Sequence, residues 1–178
     1  MMSIGALADN RTIWDEAVNY FKSGDGTGKK LGQNQEAGRD QGHATLDFAM
    51  LGVIAQQGYN QGDDLFAYLD DRILIGMEYV CKYNVGQDVS FEIYSNAVHG
   101  TQTAISNHSR STIRPMAELF VAHYGSIKAR DVRWTKVYRD LVLQESGGAE
   151  GGGGDYGTTS GGYDQLGFGT LLYRLEKE

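Results

Sequence analysis

A chain of 178 residues, 40% hydrophobic and 22% charged, can build one domain with its own core and is too short for two ordinary ones. Its net charge of −7, with no basic run longer than Lys29-Lys30, opposes nucleic acid, so any polyanion must be drawn by a local basic patch. The single cysteine, Cys81, excludes an internal disulfide or a cysteine-based zinc centre, and no stretch approaches the ~18 consecutive apolar residues of a membrane span.

The N-terminus, MMSIGALADN, lacks the basic segment and apolar run of a signal peptide. Trp14, Ala17, Val18 and Phe21 then repeat at the spacing of one helical face. Asp9 or Asn10 is placed to cap that helix and Gly24 to end it. The following GDGTGKK resembles a phosphate loop only in its Gly28-Lys29. Ser23 stands where the first glycine is needed, Lys30 stands where Ser or Thr is needed, and no strand precedes it. It reads as a polar turn.

A second helix starts near Asp40 and stops at Gly58, with Leu46, Met50, Val53 and Ile54 as its expected inward stripe. A third follows Asp63-Asp64, with Leu65, Phe66, Leu69, Ile73, Met77 and Val80 inward. Glu78 and Lys82 are expected to pair across one turn on its solvent side, and Cys81 to be buried as a small apolar residue. Residues 84–110 have little periodicity beyond a short extended piece at VSFEIYS, and a loop this long in a small domain is more often functional than accidental. Pro115 suits the first turn of a fourth helix, running through Met116, Leu119, Phe120 and His123 to Gly125. A fifth covers about 130–144, with Trp134, Val137, Tyr138 and Leu141 on one face. The chain has 25 glycines and one proline, the glycines concentrated in 24–32 and 147–169. LGFGTLLYRL then forms a short strand or a last helix. The predicted class is all-α, with antiparallel helix pairs joined by long Gly-rich loops, in a single domain over 1–178.

Residues 34–43, NQEAGRDQGH, crowd polar groups against the start of the second helix. His43 lies three residues before Leu46 and seven before Met50, which puts it on the expected inward stripe. A neutral imidazole there can act as a general base, with Asp47 one turn on to orient it. The competing reading is a core histidine satisfied by a backbone carbonyl. Asn34, Arg39 and Gln41 supply amide and guanidinium donors suited to a carboxylate, next to a helix N-terminus that also favours anions. A second polar cluster, NHSRSTIRP, carries His108, Arg110 and Arg114 in the long loop, with Asn96 and His99 nearby; surface charge at a helix start is the plainer account. His123 reads as structural. Tyr79, Tyr83 and Tyr94 could offer a phenol for proton transfer or a platform for sugar rings, although most tyrosines are half-buried aromatics.

NQEAGRDQGH, YNQGDDLFAYLDDRILIGMEYVCKYNVGQD, SRSTIRPMAELFVAHY and GGGGDYGTTSGGYDQLGFGTLLY, in that order from about residue 30 to the end, resemble the alginate lyase-like group of polysaccharide lyases. The resemblance implies an (α/α) toroid, of which these motifs match the later half. It also implies β-elimination on a uronate-containing polysaccharide without an obligatory cofactor or metal. In that chemistry a donor neutralises the uronate carboxylate, a His or Tyr removes the C5 proton, and a Tyr or similar acid protonates the departing 4-oxygen. By resemblance, His43 is the base and Asn34 or Gln41 the neutraliser. Arg39, Arg110, Arg114, His108 and Tyr79 are substrate-binding, and the catalytic tyrosine is open among Tyr79, Tyr83 and Tyr124, with Tyr83 the choice made. The sequence departs from the family where Gly42, rather than Asn, precedes the histidine. The expected partner is an anionic polysaccharide or oligosaccharide, not a nucleic acid or a membrane. An extracellular or periplasmic location is implied as well, and a missing N-terminal half or a homo-oligomer would complete the cleft. The competing expectation is a non-catalytic carbohydrate-binding or scaffold remnant.

Overall fold

The structure, a computed structural model, describes residues 1–23, 32–150, 165 and 167–175, which are mostly helical. Residues 24–31 and 151–164, which carry much of the glycine, lie outside the described residues. The phosphate-loop question and the Gly24 stop signal therefore have no structural answer here.

Helix α1 (Met2–Leu7) leads into α2 (Arg11–Ser23). The Asn10 side-chain oxygen accepts the Ile13 N–H at 3.1 Å, the cap expected for a short polar residue at this point. Trp14, Ala17 and Val18 are buried as their spacing predicts, and Trp14 Nε1 donates to Asp63 Oδ2 at 2.6 Å, tying α2 to the turn beyond the next helix.

Helix α3 (Gln41–Asn60) is capped by Asp40, whose carboxylate accepts the Gly42 N–H at 2.7 Å. Its buried face differs from the predicted stripe. Ala44, Thr45, Phe48, Ala49, Gly52 and Ala55 face inward, while Met50 and Val53 are exposed. The reason is close approach. A Cβ on Gly52 would lie 2.6 Å from the Phe120 ring, and one on Gly76 would lie 2.3 Å from the Phe48 ring. Small residues therefore define the contact face, and the larger apolar ones are left beside a groove.

Helix α4 (Tyr68–Asn84) runs antiparallel to α3, since Asn84 at its end donates to Gln41 at the start of α3 at 3.1 Å. Ile73, Met77, Val80 and Cys81 are buried, as expected, whereas Leu69 is 54% exposed. Leu69, Asp70 and Asp71 have φ between 51° and 58°, a left-handed backbone that non-glycine residues rarely adopt. Asp71 is held there by Arg130 at 2.7 Å and Lys128 at 3.5 Å.

After α4 the chain forms a small antiparallel hairpin, β1 (Tyr94–Asn96) and β2 (Gly100–Gln102), with Tyr94 opposite Gln102. The sequence gives only a hint of it. Helix α5 (Ala117–Phe120) passes into a π-helical turn, Val121–Ile127, and His123 in that turn is buried, stacked 3.8 Å from the Phe66 ring. Burial, with the Lys128 charge, lowers its pKa to about 4, so it packs as a neutral ring.

Helix α6 (Arg133–Glu145) buries Thr135, Tyr138 and Val142; of the predicted face, Tyr138 is buried, Trp134 and Leu141 pack half-buried against the core, and Val137 is exposed. Glu78 is not paired with Lys82 on the solvent side. Its carboxylate accepts the N–H groups of Trp134 and Thr135 at 2.9 and 2.8 Å and the Thr135 hydroxyl at 2.6 Å, so it caps α6 from α4. Lys82 instead lies over the Trp134 ring. The last described element is a helix, α7 (Gly169–Leu172).

Candidate functional site

The polar loop before α3, the hairpin β1–β2 and the turn at 106–110 meet around the first turns of α3. Backbone bonds fix the meeting: Gln41 N–H donates to the His108 carbonyl at 2.9 Å, and Ser106 N–H donates to the Ala37 carbonyl at 2.9 Å.

Asp40 is the centre of this arrangement. It is 6% exposed; His43 Nδ1 lies 2.6 Å from its Oδ2 and His108 Nδ1 lies 3.4 Å from its Oδ1. Burial alone would raise the pKa of this carboxyl. Hydrogen bonds from His43, the Gly42 N–H, His108 and Ser109 outweigh burial and bring it down to about 2. The two imidazoles themselves are open to solvent, with side chains 51% and 71% exposed. His43 therefore faces outward, not into the core as the predicted stripe required. Its orienting carboxylate is Asp40, not Asp47.

Asp47 is held by Asn34, whose amide donates to its Oδ2 at 2.8 Å and to the Ala44 carbonyl at 3.2 Å. Burial, reinforced by the charge of Glu36, raises the Asp47 pKa to about 6. Glu36 in turn accepts a hydrogen bond from Arg39 and lies 3.7 Å from His99 Nε2 of the hairpin loop. The loop and hairpin thus bring the Glu36 carboxylate, the Arg39 guanidinium and the His99 imidazole together, next to Asp47 of α3.

Other residues proposed from sequence lie behind this surface. Gln41 is 1% exposed, donating to the Ala37 carbonyl at 2.9 Å and accepting from Asn84. Arg114 is 1% exposed and bonds to the Gly42 carbonyl, the Thr45 hydroxyl and Gln165. Tyr83 is 3% exposed, with its hydroxyl on Asn107 Oδ1 at 2.6 Å. The Arg110 guanidinium stacks 3.8 Å from the Tyr83 ring and donates to the Tyr83 carbonyl at 3.0 Å. Tyr79 donates to the Ser90 carbonyl at 2.7 Å, and burial pushes its pKa up to about 12. Tyr124 is fully buried on the Phe66 carbonyl.

The structure thus gathers Asn34, Arg39, His43 and His108 on one surface, sets Gln41, Tyr83 and Arg114 in the buried layer that supports it, and leaves Arg110 half-buried in the turn. Asp40 and Glu36 were not singled out as members from sequence, and His99 was named only beside the second polar cluster. Asp40 carried a legible signal: it stands at the helix cap, three residues before His43, a spacing that brings two side chains onto one face.

Beside the polar surface, a cleft of about 980 Å³ is lined by Asn34, Glu36 and Asp47 together with Phe21, Phe48, Met50, Leu51, Ile54 and Tyr68. Among the described residues no group of three or more His, Cys, Asp or Glu side chains is placed to hold a metal ion. Among them, too, no helix is long and apolar enough to cross a membrane. No family model, curated protein or solved structure matches the chain.

Proposed function

We propose that this chain is a polysaccharide lyase domain, part of an (α/α) toroid, that cleaves a uronate-containing polysaccharide by β-elimination. The observation that carries the reading is the His43–Asp40 pair. A carboxylate oxygen can only accept, so the 2.6 Å contact assigns the proton of neutral His43 to Nδ1. Its Nε2 is then a lone-pair nitrogen, on a half-exposed ring, available to remove the C5 proton. The part-exposed Arg39 guanidinium and the Asn34 amide are donors on this surface suited to the uronate carboxylate, and the order of the sequence motifs supports the same chemistry.

One observation favours a second reading, a non-catalytic carbohydrate-binding or scaffold domain. Asn34 and Arg39 are already engaged by Asp47 and Glu36, and Gln41, Tyr83 and Arg114 are buried in the supporting layer. The test is incubation with alginate and with glucuronan while following the absorbance of unsaturated uronate ends. The lyase reading expects product from the folded chain and its loss in His43→Ala. Oligosaccharide binding without product, unchanged in His43→Ala, would establish the second reading instead.

A further inference from the structure

We propose that the left-handed turn Leu69–Asp71 is a conformational switch in one wall of the cleft, clasped in its present state by Lys128 and Arg130 and able to revert to right-handed helix. The inference goes beyond the lyase reading and does not depend on it.

Three observations carry it. The first is strain. Leu69, Asp70 and Asp71 have φ of 51°, 54° and 58° and ψ of 52°, 58° and 38°, a left-handed run that contains no glycine. Each of these residues brings its Cβ against the following carbonyl. Such strain persists only where surrounding contacts over-determine it, and it gathers at binding sites and switches.

The second is the clasp. The buried Asp71 carboxylate takes Arg130 Nε at 2.7 Å and Lys128 Nζ at 3.5 Å, and Lys128 also reaches Asp64 Oδ2, before the turn, at 3.0 Å. The clasp is strained in its own backbone. Ala129, between the two cations, has φ 51°. The Lys128 and Arg130 N–H groups donate to the His123 and Tyr124 carbonyls at 3.0 and 2.8 Å, at the end of the π-helical turn. Backbone outliers thus stand on both sides of these ion pairs.

The third is the sequence pattern. Leu65, Leu69, Ile73 and Met77 recur every four residues, the spacing of one face of a right-handed helix. Leu65, Ile73 and Met77 are buried, whereas Leu69 is 54% exposed. The turn takes Leu69 out of the buried stripe and into the cleft wall, which Tyr68, Arg72 and Ile73 also line. The same sequence therefore encodes a second state, right-handed through 69–71 with Leu69 back on the stripe. Reversion relieves the backbone and buries Leu69, and it breaks the Asp71 ion pairs. A ligand packed on Leu69 in the cleft biases this exchange toward the left-handed state.

The experiment follows the ¹³Cα and ¹³Cβ shifts of residues 68–72 by NMR in the full chain, together with the labelling rate of an Ile54→Cys thiol in the cleft. The native thiol, Cys81, is fully buried and stays silent. Asp70 is exposed, so glycine and alanine at that position compare the backbone alone. In urea, Asp70→Gly should favour folding about tenfold more than Asp70→Ala does. The reverse order, which belongs to a right-handed helix interior, overturns the strained turn. Arg130→Gln, at a side chain 57% exposed, should move the 69–71 shifts toward right-handed values. It should also raise the Ile54→Cys rate by about threefold or more, as Leu69 leaves the wall. Adding Asp70→Gly to Arg130→Gln should restore both readouts, which a chain loosened only in general would not show. Unchanged 69–71 shifts in the Lys128→Gln, Arg130→Gln double variant overturn the switch. If that variant does not fold, the same shifts in the parent chain decide, followed as salt is raised to about 1 M to screen the Arg130 pair: movement supports the switch and constancy overturns it. Shifts that move while the thiol rate stays constant overturn the coupling to the cleft.

Discussion

Asp40 and Asp47 are separated by seven positions and titrate in opposite directions. Asp40 is surrounded by donors, Asp47 by apolar packing and the charge of Glu36. The sign of their effect on stability follows. With its folded pKa lowered to about 2, Asp40 contributes stability that is present above pH ~4 and is lost as pH falls toward 2. With its folded pKa raised to about 6, Asp47 favours the fold most below pH ~4 and progressively less as pH rises to 6. Asp47→Asn should therefore stabilise the protein at pH 8. The rise from 3.8 to about 6 sets a ceiling of ~3 kcal/mol; weakening the Asn34 bond to a charged acceptor brings the expected gain to about 1–2 kcal/mol. Urea denaturation at pH 8 and pH 4 checks it: the gain should appear at pH 8 and vanish at pH 4. A variant no more stable than the parent at pH 8 would show that Asp47 carries no such penalty. The sequence made His43 visible as a site residue and misassigned its partner. Both carboxylates are within helical reach of it, and only the competing claim of Asn34 on Asp47 decides between them.

Residue sizes on α3 explain why its position was legible and its buried face was not, although the inward faces of α2 and α4 were. The α3 pattern contains two apolar sets, a bulky one (Leu46, Met50, Val53, Ile54) and a small one (Ala44, Ala49, Gly52, Ala55). Hydrophobicity alone ranks the bulky set as core. Packing ranks the small set as core, because it lets the Phe48 and Phe120 rings fill the space between helices. Likewise Glu78 looked like a surface residue by its spacing to Lys82, yet the α6 start it caps lies more than fifty residues later, beyond any local pattern. Gly76→Ala puts two effects in opposition. Removing a helix-interior glycine favours folding by up to about 1 kcal/mol, whereas a methyl 2.3 Å from the Phe48 ring overpacks the contact and costs about 1–3 kcal/mol. The clash should win, leaving the variant about 1–2 kcal/mol less stable in chemical denaturation. In a Phe48→Leu background the same substitution should be neutral or stabilising. If Gly76→Ala stabilises the parent protein, the two helices are not packed this closely.

Across the whole molecule, the chain closes on itself through a buried carboxylate pair. Glu118 of α5, 1% exposed, accepts from Arg139 of α6 at 3.1 Å and from Arg174, beyond α7, at 2.7 Å. Arg114 donates to Gln165 at 3.1 Å, a contact across 51 positions of sequence. Glu150 stands beside Glu118, 3% exposed, accepting the Glu118 N–H at 3.3 Å. Burial first, and then the Glu118 charge, raise the Glu150 pKa to about 7. Two neighbouring carboxylates served by two arginines resist a second negative charge. Because the folded pKa lies above the unfolded one, the Glu150 contribution is fully present below pH ~4.5 and is lost as pH rises through about 7. The segment most directly exposed to that loss is 169–175, which packs on Glu150 at Gly169 and on Glu118 through Arg174. Hydrogen exchange, corrected for the intrinsic effect of pH, should show the 169–175 amides less protected at pH 8 than at pH 5. The ceiling is about a hundredfold, equivalent to ~3 kcal/mol, with the α3 amides showing a smaller change. Arg174→Gln should lower protection at both pH values, because it removes a charge partner whatever the state of Glu150. Equal protection of 169–175 at pH 5 and pH 8 in the parent chain would mean that Glu150 does not govern closure.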